Sequence, residues 1–204
     1  MEDDKQQPEQ LTRPYRMQAR ARSAALTGER ILDAAVEVFY EQPVHNISLE
    51  DVARRSGVTV QTVIRHYGSK EGLFTAASER ESRRITSDRD QAAAGDTAGA
   101  IRILLDHYEE VGEGVLRMLA EEHRMPALRE IIDRGRDYHR QWCERVFTPA
   151  LTGRDEIERE RRLAQLIAVT DIYTWKLLSR DYGLSREQTE LALGELLHPL
   201  TGGN

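Results

Sequence analysis

The chain is poor in cysteine: Cys143 is the only one among 204 residues. One thiol closes no intrachain disulfide and builds no cysteine-based metal cluster, so the fold must be held by apolar packing. Aromatic residues make up 6% and there are six prolines, few enough to leave room for long helices. No apolar run approaches the roughly 20 residues that a membrane span needs. The opening residues Met1 to Lys5 (MEDDK) lack the basic and apolar regions of a secretory signal, so a soluble, cytoplasmic protein without a membrane partner is expected. Catalytic motifs are missing as well. There is no Gly-rich phosphate loop, no His-Glu-x-x-His and no Cys-x-x-Cys. His107, His123, His139 and His198 form no i,i+4 pair with a carboxylate. No cofactor and no metal are expected, and the reading of the chain as a small all-helical enzyme lacks the residues it needs.

What is present is charge: 31% of residues are charged, 39% are hydrophobic and the net charge is −6. Such density with few breakers fits amphipathic helices, and no window alternates like a strand. The fold class is all-α. The charge is uneven. Residues 11–70 carry nine Lys/Arg against six Asp/Glu, while residues 71–204 carry nineteen against twenty-five. A mildly basic segment beside an acidic body is compatible with nucleic-acid binding by one part only.

Three regions follow. Residues 1–26 are polar, contain Pro8 and Pro14 and read as a flexible arm. Arg13, Arg16, Arg20 and Arg22 lie in it with no acidic residue from 11 to 26. Either they are solvated, or Arg20 and Arg22 reach phosphates or a minor groove. Residues 27–73 form a head. Its first helix is predicted to start after Thr27 as N-cap, with Ile31, Ala35, Val38 and Phe39 as its apolar stripe. Ser48, with Asp51 three residues on, opens a second helix, and Gly57 supplies the turn. Thr59 caps a third helix with Val63 inward. Two short helices across a tight turn, about 48–67, make a helix-turn-helix. A fourth helix, from about Lys70 into the eighties, links the head to a body over 74–204. There helices are predicted near 97–111, 113–123, 126–147, 155–182 and 186–199.

On the third helix Val60, Gln61, Ile64 and Arg65 face outward. Branched apolar residues exposed there suit thymine methyl groups. Gln61 suits an adenine edge, and Arg65 suits guanine or a phosphate. Thr62 and His66 are of a size to reach phosphates. Ser48 and Thr59 sit at helix N-termini that favour an anion, although both would be caps without DNA. Lys70 in a first helical turn opposes the helix dipole, and a nearby phosphate would reverse that sign.

These segments resemble the TetR family of bacterial regulators. The resemblance rests on Arg30–Phe39 (RILDAAVEVF), Ile47–Ala53 (ISLEDVA) and Gly57–Phe74 (GVTVQTVIRHYGSKEGLF). A second stretch, Thr170–Leu184 (TDIYTWKLLSRDYGL), looks like the penultimate helix of one subgroup. Ile64 stands where many members carry tyrosine. The resemblance implies a homodimer joined by its last two helices, recognition helices in successive major grooves of a palindromic double-stranded DNA operator, and a small-molecule effector bound within the body. An architectural DNA-binding protein without a ligand is the alternative; the large acidic body argues against it. Apolar residues cover more than one face of the last two helices, so Leu166, Ile167, Trp175, Leu178, Leu193, Leu196 and Leu197 are the candidates for a dimer interface. Tyr108, Met118, Tyr138, Trp142 and Tyr173 either fill the body's core or line an effector cavity, for which a volume above roughly 300 Å³ is usual.

Overall fold

A computed structural model describes residues 13–43, 46–123 and 126–202. Among them every regular element is helical: α1 Arg13–Glu41, α2 Leu49–Ser56, α3 Val60–Tyr67, α4 Lys70–Arg89, α5 Thr97–Ala120, α6 Pro126–Val146, α7 Thr148–Leu151, α8 Glu156–Thr170, α9 Ile172–Trp175, a π-helical turn Lys176–Asp181, and α10 Arg186–Thr201.

The head is built from α1 to the first half of α4. Ile31, Val38, Val52, Ala53, Val63 and Leu73 interdigitate in its small core. The first helix does not start at Thr27. It runs back to Arg13, so the arm expected to be flexible is helical from 13 to 26, and residues 1–12 lie outside the described residues. The physical reason is local. Ala19, Ala21, Ala24 and Ala25 are strong helix formers, and the Thr27 hydroxyl donates to the Ser23 carbonyl at 2.9 Å instead of capping.

In the body, Trp142, Trp175, Phe147, Leu104, Leu105, Leu163, Leu166, Leu193 and Leu197 are fully buried and form one cluster with Tyr108. The expected break near residue 112 is absent; α5 is continuous. Its glycines serve close packing: a Cβ on Gly112 would lie 2.6 Å from the Trp175 ring, and one on Gly114 would collide with the Tyr40 ring. Met125 and Arg124, at the expected junction with the next helix, lie outside the described residues. Pro149 falls in the short helix α7.

The long helix expected over 155–182 is interrupted at Asp171. That residue is extended (φ −73°, ψ 151°), and its side chain caps Tyr173 N. Threonines on either side draw the backbone away from regular pairing: Thr170 Oγ1 donates to the Leu166 carbonyl and Thr174 Oγ1 to the Ala168 carbonyl. The released Thr170 carbonyl accepts from Tyr108 Oη at 2.8 Å. The last helix starts with the expected capping box, in which Ser185 and Gln188 bond reciprocally.

A buried polar chain ties three body helices together. Arg89, the last residue of α4, bonds through Nη2 to His139 Nδ1 at 2.7 Å. Its guanidinium lies 4.5 Å from the Trp142 ring centroid and 5.3 Å from that of Tyr138. On its other side His139 Nε2 lies 3.2 Å from Thr170 Oγ1. Because that hydroxyl already donates to Leu166, His139 Nε2 carries the proton and Nδ1 accepts from Arg89. Burial, and then the Arg89 charge, push the His139 pKa down to about 3, so the ring is neutral.

Candidate nucleic-acid interface

The helix-turn-helix is fixed by three caps. The Ser48 hydroxyl accepts from Asp51 N at 3.1 Å, Thr59 from Thr62 N at 3.2 Å and Ser69 from Gly72 N at 3.1 Å. Each satisfies a backbone donor that a helix N-terminus leaves unpaired. Gly57 adopts φ 68° and closes α2 in the left-handed region. Val63 is inserted into the head core, which fixes the rotation of α3.

That rotation places Gln61, Ile64 and Arg65 outward, with Ile64 44% exposed. Together with Thr59 and Thr62 they line one open depression. Thr62 is half-buried, its hydroxyl 3.0 Å from that of Thr59. Among the described residues no carboxylate pairs with Arg65, Arg20 or Arg22. Arg54, by contrast, is held by Asp51 at 2.9 Å, and its hydrogen bond, then its charge, hold the Asp51 carboxyl below the usual range. Arg55 is bound by Glu41, so these two cations are committed within the head.

One expectation needs correction, and His66 and Lys70 are only partly exposed. Val60 is half-buried against the head core rather than outward, because it packs beside Val63 at the start of α3. His66 is half-buried, with its ring 6.0 Å from that of Tyr67. Tyr67 anchors α3 to α1, donating to the Gly28 carbonyl at 2.8 Å. Lys70 is half-buried at the start of α4, where Glu71 beside it supplies a favourable first-turn charge. The α1 extension was missed in the sequence: residues 17–26, including Arg20 and Arg22, form an exposed helical surface. Its alanines were the signal.

In the body the expected lining residues take different places, three of them in or against one packed core. Tyr108 and Trp142 are buried in the core, their polar tips spent on the Thr170 and Arg89 carbonyls. Tyr138 is half-buried and bonds Asp90 at 3.1 Å. Tyr173 is 56% exposed. Met118 borders a cavity at the head–body junction with a volume of about 110 Å³, below the 300 Å³ scale expected for a site in the middle helices. The dimer candidates divide likewise. Leu166, Leu193 and Leu197 are buried within the subunit because α10 packs on both α5 and α8, and Trp175 is buried against α5 beside Gly112 and Tyr108. Ile167 and Leu178 are half-buried against the same core. Leu196 remains 47% exposed, together with Leu177 at 48% and Leu191 at 63%.

The family model for bacterial regulatory proteins of the tetR family matches residues 31–77. An uncharacterised helix-turn-helix regulator of Mycobacterium tuberculosis is 37% identical over 65 residues, 32% of either chain, so the match spans about a third of that relative. The repressor KstR of Mycolicibacterium smegmatis is 26% identical over 163 residues, covering 74% of each chain. Among solved structures, a transcriptional regulator from Rhodococcus sp. Rha1 superposes with a TM-score of 0.68 at 22% identity, covering 86% of this chain and 96% of the other.

Proposed function

Since the chain belongs to the TetR family of bacterial regulatory proteins, we propose that it is a homodimeric repressor that grips a palindromic DNA operator and releases it when a small molecule binds. It is not read as an enzyme. The observation that carries the reading is the surface of α3, where Gln61, Ile64 and Arg65 stand exposed on a helix locked by Val63 and the Tyr67 anchor. In the major groove Gln61 would read adenine, Ile64 would contact a thymine methyl, and Arg65 would take guanine or a phosphate. Ser48, Thr59 and Thr62 supply donors near the backbone, and Arg20 and Arg22 on the α1 extension add unpaired positive charge for phosphates.

A dimer is supported by the apolar side chains left open on the last helices: Tyr173, Leu177, Leu191 and Leu196. They are the interface residues this reading assigns, in place of the four that fill the subunit's own core. Two-fold symmetry then dictates two half-sites separated by about one helical turn or a multiple of it.

The experiment is selection of bound sequences from random DNA, repeated with Gln61→Ala. The wild type should yield a palindromic motif. The variant should lose roughly 1–3 kcal/mol on the preferred site and relax choice at one base pair per half-site. Absence of any enriched motif with wild-type protein would sink the proposal.

A further inference from the structure

Charge is segregated along α1. Residues 13–28 hold four arginines and no carboxylate, whereas residues 29–41 hold one arginine and four carboxylates. The two halves are also held differently. From Gly28 onward α1 is anchored: the Gly28 carbonyl accepts from Tyr67 Oη at 2.8 Å, and Glu29 and Asp33 pair with Arg80 of α4 at 3.2 and 2.8 Å. Ahead of Gly28, residues 17–26 are exposed throughout, Met17 by 65% and Leu26 by 61%. Neither Arg20 nor Arg22 meets a carboxylate among the described residues. A helical stretch of this length is marginal in water by itself, and it persists as a continuation of the anchored half.

We propose that this projecting helix lies over the minor groove beside each half-site, with Arg20 and Arg22 pairing with phosphates of opposite strands, so that the protein grips duplex outside the base pairs that α3 reads. The placement rests on the repressor reading above, with α3 in the major groove. It starts from the root of the extension. A Cβ on Gly28 would lie 3.2 Å from Tyr67 Oη and 3.6 Å from His66 Nδ1, so the extension leaves the head beside the C-terminal end of α3. A recognition helix turns its N-terminal residues to the base edges. Its C-terminal end is then left at the rim of the groove, where the backbone runs. From Gly28 back to Arg13 is about 22 Å of helix, the rise of about six base pairs. With side chains a helix is about 10–12 Å across. It cannot enter a minor groove about 6 Å wide, but it can lie over one. Arg20 and Arg22 are two residues apart and so stand on nearly opposite sides of the helix. Cations on both flanks suit the two rows of phosphate that border a minor groove. Such contacts carry no sequence information, so any flanking sequence serves.

Full-length protein is titrated by fluorescence anisotropy against two labelled duplexes that carry the selected operator. One is trimmed flush at the outer ends of the half-sites, and the other is extended on each side by about one helical turn of random sequence. At low salt the wild type should bind the extended duplex at least tenfold tighter. Arg20→Ala combined with Arg22→Ala, which favours the helix, should reduce that gain to less than threefold. On the extended duplex it should also flatten the log–log salt dependence by about three to four, at about 0.9 per phosphate for two arginines in each of two subunits. Ala21→Pro keeps both arginines but breaks the helix between them, and should lose the gain as well. Gln61→Ala should weaken both duplexes alike. Equal affinity of the wild type for the two duplexes, or an unchanged salt slope in the double variant, overturns the proposal and leaves the arginines to solvent. A full gain in Ala21→Pro overturns the helical placement. If the wild type selects no operator, the repressor reading fails by itself. The double variant must then still flatten the salt slope on random duplex, and an unchanged slope there overturns the phosphate contacts.

Discussion

The head and the body are both helical, yet they are held differently. The head is a set of short helices, each started by a side-chain cap and stopped by a glycine or a turn, around a core of Val, Ala, Ile and Leu. The body is held by long-range contacts. Trp142 donates to a carbonyl 53 residues away in sequence, and Tyr108 to one 62 residues away. A cation–aromatic and histidine network runs through its centre. A head of local signals keeps its surface free for a partner. A body of distant contacts makes its helices move together, as a device that transmits a shift requires.

The largest effect that would test this contrast is in the body core. Trp142 is fully buried, stacks with His139 at 5.8 Å, meets Phe147 edge-on at 6.0 Å and shields Arg89. Trp142→Ala should cost about 3–5 kcal/mol and leave Arg89 without an aromatic face. Denaturant unfolding followed by helical circular dichroism should show the midpoint fall sharply. A loss near 1 kcal/mol would mean that the body is not organised around this residue.

Acid should weaken the body through His139. Its pKa is about 3 in the folded chain and about 6.5 when unfolded. Stability is therefore complete above pH 6.5 and falls as the pH drops from 6.5 toward 3, because only the unfolded state gains the proton. The slope is about 1.4 kcal/mol per pH unit, so about 2 kcal/mol is lost by pH 5. His139→Asn should flatten that stretch of the profile by about one proton; parallel profiles for variant and wild type would contradict it.

The same contrast explains what was legible in the sequence. Caps, glycine turns and short apolar stripes are local, so Ser48, Gly57, Thr59, Val63 and Ser69 fall where their types and spacing require. The outward faces of Gln61, Ile64 and Arg65 follow from Val63 alone. The body reads less well because its aromatics, half apolar and half polar, suit a core or a cavity equally. Nothing in the spacing of Tyr108 or Trp142 says that a distant carbonyl is waiting for each. The apolar residues of α8 and α10 posed a similar problem: periodicity counts faces but not which neighbour covers them. Packing of α10 on α5 and α8 covers Leu193 and Leu197 and leaves Leu191 and Leu196 open.

A close approach inside the body gives an intermediate effect. Gly112 faces the Trp175 ring, and any Cβ there must displace that ring. Gly112→Val should destabilise the body by about 1–3 kcal/mol through overpacking, with the head's own affinity for DNA changed little if the two regions are as separate as their contacts suggest. Thermal unfolding paired with operator binding below the transition separates the two readouts. Equal damage to both would blur the comparison.

The smallest effect concerns two threonines of the head that look alike in sequence. Thr27 and Thr59 each precede residues that can start a helix, and only Thr59 does so. Its hydroxyl accepts from Thr62 N, satisfying a donor that would otherwise be left to water, so Thr59→Ala should cost about 1 kcal/mol. Thr27 lies inside α1, and its hydroxyl turns back onto the Ser23 carbonyl. That carbonyl is within a helix and has its own backbone donor, so removing the hydroxyl leaves nothing unpaired. Alanine is also the better helix former, by up to about 0.7 kcal/mol. Thr27→Ala should therefore be neutral or slightly stabilising, within about 0.5 kcal/mol, and should raise the helical signal from residues 13–26. Denaturant midpoints for the two variants in parallel decide the matter. A cost near 1 kcal/mol at both positions would return Thr27 to the role of N-cap and end α1 there, taking Arg20 and Arg22 off the helical surface that aims them at a phosphate.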